Sequence, residues 1–158
     1  MLEVVLALDQ ALRNTGYAVL RGEELVDYGS FTVDPSLPME ERLHQLMLNV
    51  KALKAKYNPD VICFEDIQDQ HNIQTFKTLA YVQAAILIFC ALTKSKYAVM
   101  SPSHWRKVLG GQFGKKREEQ KAHAQAIVKE KFGVDVDSDT ADAICIGLAY
   151  VKGGHNET

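Results

Sequence analysis

The chain has 158 residues, 47% hydrophobic and 24% charged, with a formal net charge of −2. That length suits one domain with a substantial core, and the net charge argues weakly against a nucleic-acid partner, though the distribution of charge matters more than its total. Cys63, Cys90 and Cys145 are odd in number, far apart and set among apolar neighbours, which excludes a disulfide framework or a zinc spacing and leaves three reduced core residues.

From the N-terminus, MLEVVLALDQ lacks the basic start and cleavage site of a signal peptide, and no apolar run is read as long enough to cross a bilayer, so a cytoplasmic protein is expected. Glu3 to Asp9 is a nearly unbroken β-compatible run, suited to a strand covered on both faces. Thr15–Leu20 and Glu24–Val33, joined by Arg21-Gly22-Glu23, complete an antiparallel meander. Pro35 and Pro38 break the chain, and a helix is expected from about Met39 to Lys56 with Leu43, Leu46, Met47, Val50 and Leu53 on its core side. Asn58-Pro59-Asp60 leads into VICFED, the fourth strand. A long apolar helix follows from Asn72 to Leu92, then a fifth strand, Lys96–Met100. Ser101-Pro102 opens a short helix through Leu109, glycines 110, 111 and 114 connect to a basic helix from about Lys115 to Phe132, and a last helix starts near Ser138 and ends near Gly153. The pattern predicts an α/β domain spanning 1–158, with one five-stranded mixed sheet, three antiparallel strands then two parallel, flanked by helices.

The acids fall at particular places in that pattern. Asp9 ends the first strand and Glu65 the fourth; if these are parallel neighbours, both carboxylates emerge at one edge of the sheet. Asp139 and Asp142, three apart on the last helix, share a face, and Asp142 lies on the side of Cys145, Ile146 and Ala149. Taken singly, Asp9 fits a turn, Asp139 a helix cap and Asp142 a dipole partner. Together they suggest one cluster, in which each like-charge pair costs about 4 kcal/mol at roughly 4 Å and an effective dielectric near 20. Such a cluster asks for a cation, and oxygen-only ligands favour Mg²⁺ or Mn²⁺. Two ions about 3.5–4 Å apart would suit phosphodiester hydrolysis. Asp66 should point to the other side of its strand. From Arg106 to Lys131 eight basic residues stand against three acids, enough for a phosphate-facing patch or for a solvated helix face.

LALDQALRNTGYAVL, VICFED and SDTADAICIGLAY, in this order, resemble the RuvC-type Holliday-junction resolvases of the RNase H-like superfamily, particularly the compact phage-encoded members, over almost the whole chain. The resemblance implies an RNase H-like fold and a homodimeric, Mg²⁺-dependent endonuclease, with two ions per site, that nicks two strands of a four-way junction symmetrically. It assigns Asp9, Glu65, Asp139 and Asp142 to metal binding and catalysis, and Lys121 to a catalytic lysine. It sets Arg106, with Lys107 beside it, against a second basic position. Arg13, Lys115, Lys116, Arg117 and Lys121 complete the expected DNA contacts. Pairing would run through the helix 72–92, where Phe76, Leu79, Ala80, Gln83, Ala84 and Leu87 could supply a core face and a self-complementary one.

Two positions depart from the family pattern. Gln10-Ala11 replaces a Pro and Gly turn, and Gln68 stands where the bacterial enzymes carry an aromatic wedge. An amide cannot stack on a base, so relaxed sequence selectivity and activity on other branched DNAs are expected, with His71 or Phe76 as possible substitutes for the wedge. Competing readings are an RNase H-like nuclease acting on RNA–DNA hybrids or flaps, and a non-catalytic branched-DNA binder, which would be expected to have lost an acid. A sugar-kinase or actin-like phosphate site needs two such domains, and this chain has room for one.

Overall fold

The computed structural model describes residues 2–68, 71–111 and 113–153. Its elements run β1 (Val4–Asp9), β2 (Asn14–Arg21), β3 (Glu24–Thr32), α1 (Met39–Tyr57), β4 (Val61–Glu65), α2 (Ile73–Thr93), β5 (Lys96–Met100), α3 (Pro102–Leu109), α4 (Arg117–Phe132) and α5 (Ser138–Val151). The strands form one sheet in the order β3-β2-β1-β4-β5. β1 pairs antiparallel with β2 and parallel with β4, and β4 pairs parallel with β5. The expected elements and mixed topology are all present, and the boundary differences are at most a few residues, the largest where α4 begins at Arg117 with Lys116 as its cap residue.

Alternation along the central strands divides the core in two. Val5, Ala7, Cys63, Ala18 and Leu20 face α3, α4 and α5. Leu6, Leu8, Ile62, Phe64 and Val19 face α1 and α2. The period-2 pattern is hard to see in the sequence because both sets are apolar, as a strand covered on both faces requires. The three cysteines are buried and unpaired.

α5 is the innermost helix, with every residue from Ala143 to Tyr150 buried. Gly16 of β2 allows this. A Cβ built there would lie 2.0 Å from the carbonyl oxygen of Asp139 and 2.4 Å from its carbonyl carbon. The first turn of α5 therefore rests directly on the β2 backbone, a contact only glycine permits. Farther along, Gly147 makes room for the Leu20 and Ala7 side chains.

Two expectations about α2 are corrected. Its core face is Val82, Ile86, Phe89 and Cys90; of the residues named from the sequence, Leu87 packs at the edge of this cluster, while Phe76 and Ala84 are exposed. The helix is apolar almost all round, so composition does not mark which side faces the sheet. It is also long and apolar enough, by length and composition, to cross a bilayer, contrary to the expectation that no run would be. One face, Val82, Ile86, Phe89 and Cys90, packs into the core beside α1, and much of the rest of the helix is open.

Candidate active site

β1 and β4 are in register from Val5↔Val61 to Leu8↔Phe64, so Asp9 and Glu65 leave the sheet side by side. A strand end is where a side chain can escape the two covering layers while its backbone stays fixed by the ladder. α5 brings the other pair. Its N-cap is Asp137, whose side chain accepts from the Thr140 N–H; the cap proposed for Asp139 is thus filled by a neighbour, and Asp139 is free to turn toward β1. All four acids, Asp9, Glu65, Asp139 and Asp142, line one cleft of about 410 Å³.

The electrostatics match that placement. Burial pushes the Asp9 carboxyl well above the usual carboxylate range, with further upward pressure from Glu65, Asp142 and Asp139 and from a hydrogen bond shared with Asp139. Asp142 is raised to about 7, by burial first and then by Glu65 and Asp139, against the pull of Arg106 and Lys121. Burial also raises Glu65, while the Trp105 hydrogen bond and the Arg106 charge oppose the rise. Asp9 and Asp142 are thus costly to ionise in company with the neighbouring acids, and Glu65 is costly to ionise through its burial.

The donor set is the fit test for a cation. The cleft lining offers carboxylate and amide oxygens and no His or Cys, which suits a hard divalent ion and not zinc. Among the described residues no three His, Cys, Asp or Glu side chains yet form a coordination group. The acids surround the cleft with some oxygens already bonded: Asn14 Nδ2 donates to Asp139 Oδ2 at 2.6 Å, and Trp105 Nε1 to Glu65 Oε2 at 2.7 Å.

Of the basic residues expected to meet DNA, Arg106, Lys115, Arg117 and Lys121 line the cleft. Arg13, Lys107 and Lys116 are exposed and stand outside its lining. Lys121 projects from the second turn of α4, and Arg106 lies over the Trp105 ring at 5.2 Å from its centroid. Gln68 is in the lining and exposed. Asp66 is exposed just past the end of β4, with its backbone N–H bonded to the Met100 carbonyl, and it lines a small pocket beside the cleft together with Glu65 and Gln68, so it is not turned fully away from Glu65 as expected. His71 and Phe76 are also exposed, and residues 69 and 70 of this loop lie outside the described residues. A separate groove of about 440 Å³ is flanked by Glu23 and Lys131, whose charges satisfy each other at 2.9 Å, so it has no comparable demand for a ligand.

Three contacts around the acids were not anticipated. Asn14 stands one residue before Thr15-Gly16 and reaches Asp139. Trp105 reaches Glu65 from α3. Gln10 pairs with the Glu65 main chain, its Nε2 donating to the carbonyl at 2.5 Å and its Oε1 accepting from the N–H at 3.2 Å. The only sequence signal for any of them is position: a polar residue flanking the first acid, and a tryptophan inside a polar helix.

The family described as Crossover junction endodeoxyribonuclease RuvC matches residues 5–150. Among curated relatives, that of Erythrobacter litoralis is 30% identical over 152 residues, covering 92% of this chain and 91% of its own length. That of Akkermansia muciniphila is 28% identical over 151 residues, covering 93% and 89%; both carry the same description. Among solved structures, Thermus thermophilus RuvC in complex with a Holliday junction substrate superposes with a TM-score of 0.79 at 16% identity, covering 94% of this chain and 93% of its own. The yeast mitochondrial Holliday junction resolvase gives 0.64 at 17% identity, covering 95% and 78%. These superpositions extend the sheet order and helix placement described above to the RuvC fold, which is RNase H-like. With strand-end acids, an inward acid pair on the last helix and a family match over nearly the whole chain, the protein belongs to the crossover junction endodeoxyribonuclease RuvC family.

Proposed function

We propose that the protein resolves four-way DNA junctions by divalent-metal-dependent hydrolysis of two phosphodiester bonds, acting inside the cell as a homodimer. The observation that carries this reading is the convergence of Asp9, Glu65, Asp139 and Asp142 with Lys121 and Arg106 in one cleft. Four acids would be a poor lining for a site that must accept an anionic backbone unless cations neutralise them. Asp9, Glu65, Asp139 and Asp142 would hold the metal, with Mg²⁺ the favoured ion, Mn²⁺ an alternative and two ions per site. Bound divalent ions supply Lewis-acid stabilisation of the phosphate and a more acidic water.

The chain's own residues do the remaining work. Lys121, beside the acids, offers a protonated amine for charge building on the scissile phosphate. Lys115 and Arg117, at the cleft mouth, attract the flanking backbone, and Arg106 holds positive charge next to Glu65 and Asp142. Arg13, Lys107 and Lys116, exposed outside the cleft, would meet more distant phosphates. The outer face of α2, with Ile73, Tyr81, Ile88 and Leu92 exposed, is the surface through which two copies would pair, setting two sites about one two-fold axis. Gln68 in the cleft supports relaxed sequence selectivity, since no aromatic ring occupies its place.

The deciding experiment incubates wild-type protein and a Glu65→Gln variant with a synthetic four-way junction and Mg²⁺. Retained binding with abolished cleavage is expected; unchanged cleavage would remove Glu65 from the site. Junctions of randomised core sequence should be cut at comparable rates, and a sharp consensus would refute the relaxed selectivity. Preference for RNA–DNA hybrids or flaps over junctions would favour the RNase H-like hybrid or flap nuclease instead.

A further inference from the structure

Glu65 belongs to a side chain type with three rotatable bonds, yet a metal-binding carboxylate is useful only if its oxygens stay where the ion needs them. Its main chain is fixed twice, by the β4 ladder to Met100 and by the bidentate Gln10 amide. That leaves the carboxylate free to swing about its side-chain torsions. Trp105 is the residue that stops it. The indole is fully buried, its edge-to-face partner Phe113 lies 5.5 Å away centroid to centroid, and its N–H donates to Glu65 Oε2 at 2.7 Å. The same indole and Phe113 carry the Arg106 guanidinium, at 5.2 and 5.9 Å from their centroids. Arg106 Nε is buried and, among the described residues, has no hydrogen-bond partner, so ring packing is a main determinant of where that guanidinium sits.

We propose that Trp105 is a positioning residue of the cleavage site, which through one indole fixes the Glu65 carboxylate for metal binding and seats the Arg106 charge beside it. The inference rests on the junction-cutting reading, with Glu65 as a metal ligand. A tryptophan N–H can donate but neither accept nor ionise. It therefore holds Oε2 of a residue that lines the cleft without itself titrating. An outer-shell hydrogen bond of this kind typically contributes ten- to a hundredfold in metal affinity or rate.

Trp105→Phe keeps one aromatic ring for Phe113 and Arg106 and deletes the N–H together with the five-membered ring that carries it, so the Mg²⁺ dependence and the indole resonance, not stability, are the readouts that decide. The expected result is a kcat about tenfold lower, a several-fold higher Mg²⁺ concentration for half-maximal cutting, and junction KM and binding within twofold of wild type. Because the chain has one tryptophan, ¹⁵N-labelled protein gives a single indole N–H resonance. That resonance should move upfield in Glu65→Ala and shift on Mg²⁺ addition in wild type without any DNA. Wild-type kcat and Mg²⁺ dependence in Trp105→Phe would overturn the proposal, as would an indole resonance unmoved by Glu65→Ala. If Trp105→Phe fails to fold, the indole shift in the other two proteins decides. Wild-type protein that cuts no junction would sink the functional reading alone, with the resonance still reporting on the contact.

Discussion

Replacing Gly16 by alanine should damage the site without touching any of its acids. The new Cβ would sit 2.0 Å from the Asp139 carbonyl oxygen, 2.4 Å from its carbon and 2.9 Å from the Thr140 nitrogen. All three are backbone atoms, so no rotamer change relieves the clash. Restoring ordinary contact moves the first turn of α5 away from β2 by about 1.4 Å, and a displacement near 1 Å at a catalytic constellation costs on the order of a hundredfold in rate. Overpacking costs roughly 1–3 kcal/mol, offset in part by the roughly 0.5–1 kcal/mol that alanine regains over glycine in a strand. For a chain of this size the net loss lowers Tm by only about 3–6 °C. Gly16→Ala should thus be folded at 25 °C, bind junction DNA, and cut it about a hundredfold more slowly. Gly147→Ala is the control: its Cβ meets the flexible Leu20 side chain at 2.5 Å and the Ala7 Cβ at 3.0 Å, in the core and two turns from Asp139, so stability should fall with less loss of rate. A Gly16→Ala protein that cuts at the wild-type rate would refute the claim that this close approach sets the acids.

The raised carboxyls make metal-free stability depend on pH. An acid whose folded pKa exceeds its unfolded one binds its proton more tightly in the fold, so stability is greatest below about pH 4 for that group and is lost as pH rises through the folded value. For Asp142 the rise from 3.8 to about 7 corresponds to about 4 kcal/mol. Metal-free Tm should therefore fall on the order of 10 °C between pH 5 and 8, Mg²⁺ should restore it at pH 8 and do little at pH 5, and Asp142→Asn should flatten the profile; Mg²⁺ stabilisation that is equal at both pH values would contradict this. Cutting should likewise weaken in acid, as the carboxylates take up protons in competition with metal. Ile88 is 59% exposed on α2, so Ile88→Asp should leave the monomer's Tm nearly unchanged. It should weaken pairing at least thirtyfold, the effect of losing an interface anchor of about 2 kcal/mol or more, and turn paired nicks into single ones. A sedimentation profile identical to wild type would remove this face from the interface.

The legible parts of the sequence were those set by backbone periodicity. Strand ends at Asp9 and Glu65, the inward side of Asp142 and the break at Pro35 and Pro38 all follow from local pattern, and topology then brings the acids together. α2 was legible as a helix but not as a face, because Phe76, Ala80 and Leu87 are as apolar as Val82 and Ile86. The basic residues divide for a similar reason. Lys115, Lys116 and Arg117 occupy successive positions around a helix start, where a single residue of offset decides which side chains enter the cleft. Asn14, Gln10 and Trp105 were hidden because each contact spans a long stretch of chain, 125, 55 and 40 residues, and depends on how α3, α5 and the strand ends dock.

These hidden contacts explain how the fold tolerates its own site. Four carboxylates in one cleft work against stability, and a chain selected for stability alone would replace Asp142, on a helix otherwise buried from Ala143 to Tyr150, with an apolar residue. The surroundings contain the strain without removing it. Donors from Asn14 and Trp105 each engage one carboxylate oxygen, Arg106 and Lys121 offset charge from the side, and Gly16 lets the first turn of α5 rest on β2, which holds Asp139 and Asp142 at the cleft. Had the neutralising groups been bidentate arginines facing each acid, the cleft would be balanced and have no affinity left for a cation. Its cations instead lie at the margin, with Arg106 held over two rings rather than paired to one carboxylate. The uncompensated charge that remains is what a divalent ion, and behind it a phosphate backbone, would be drawn to fill.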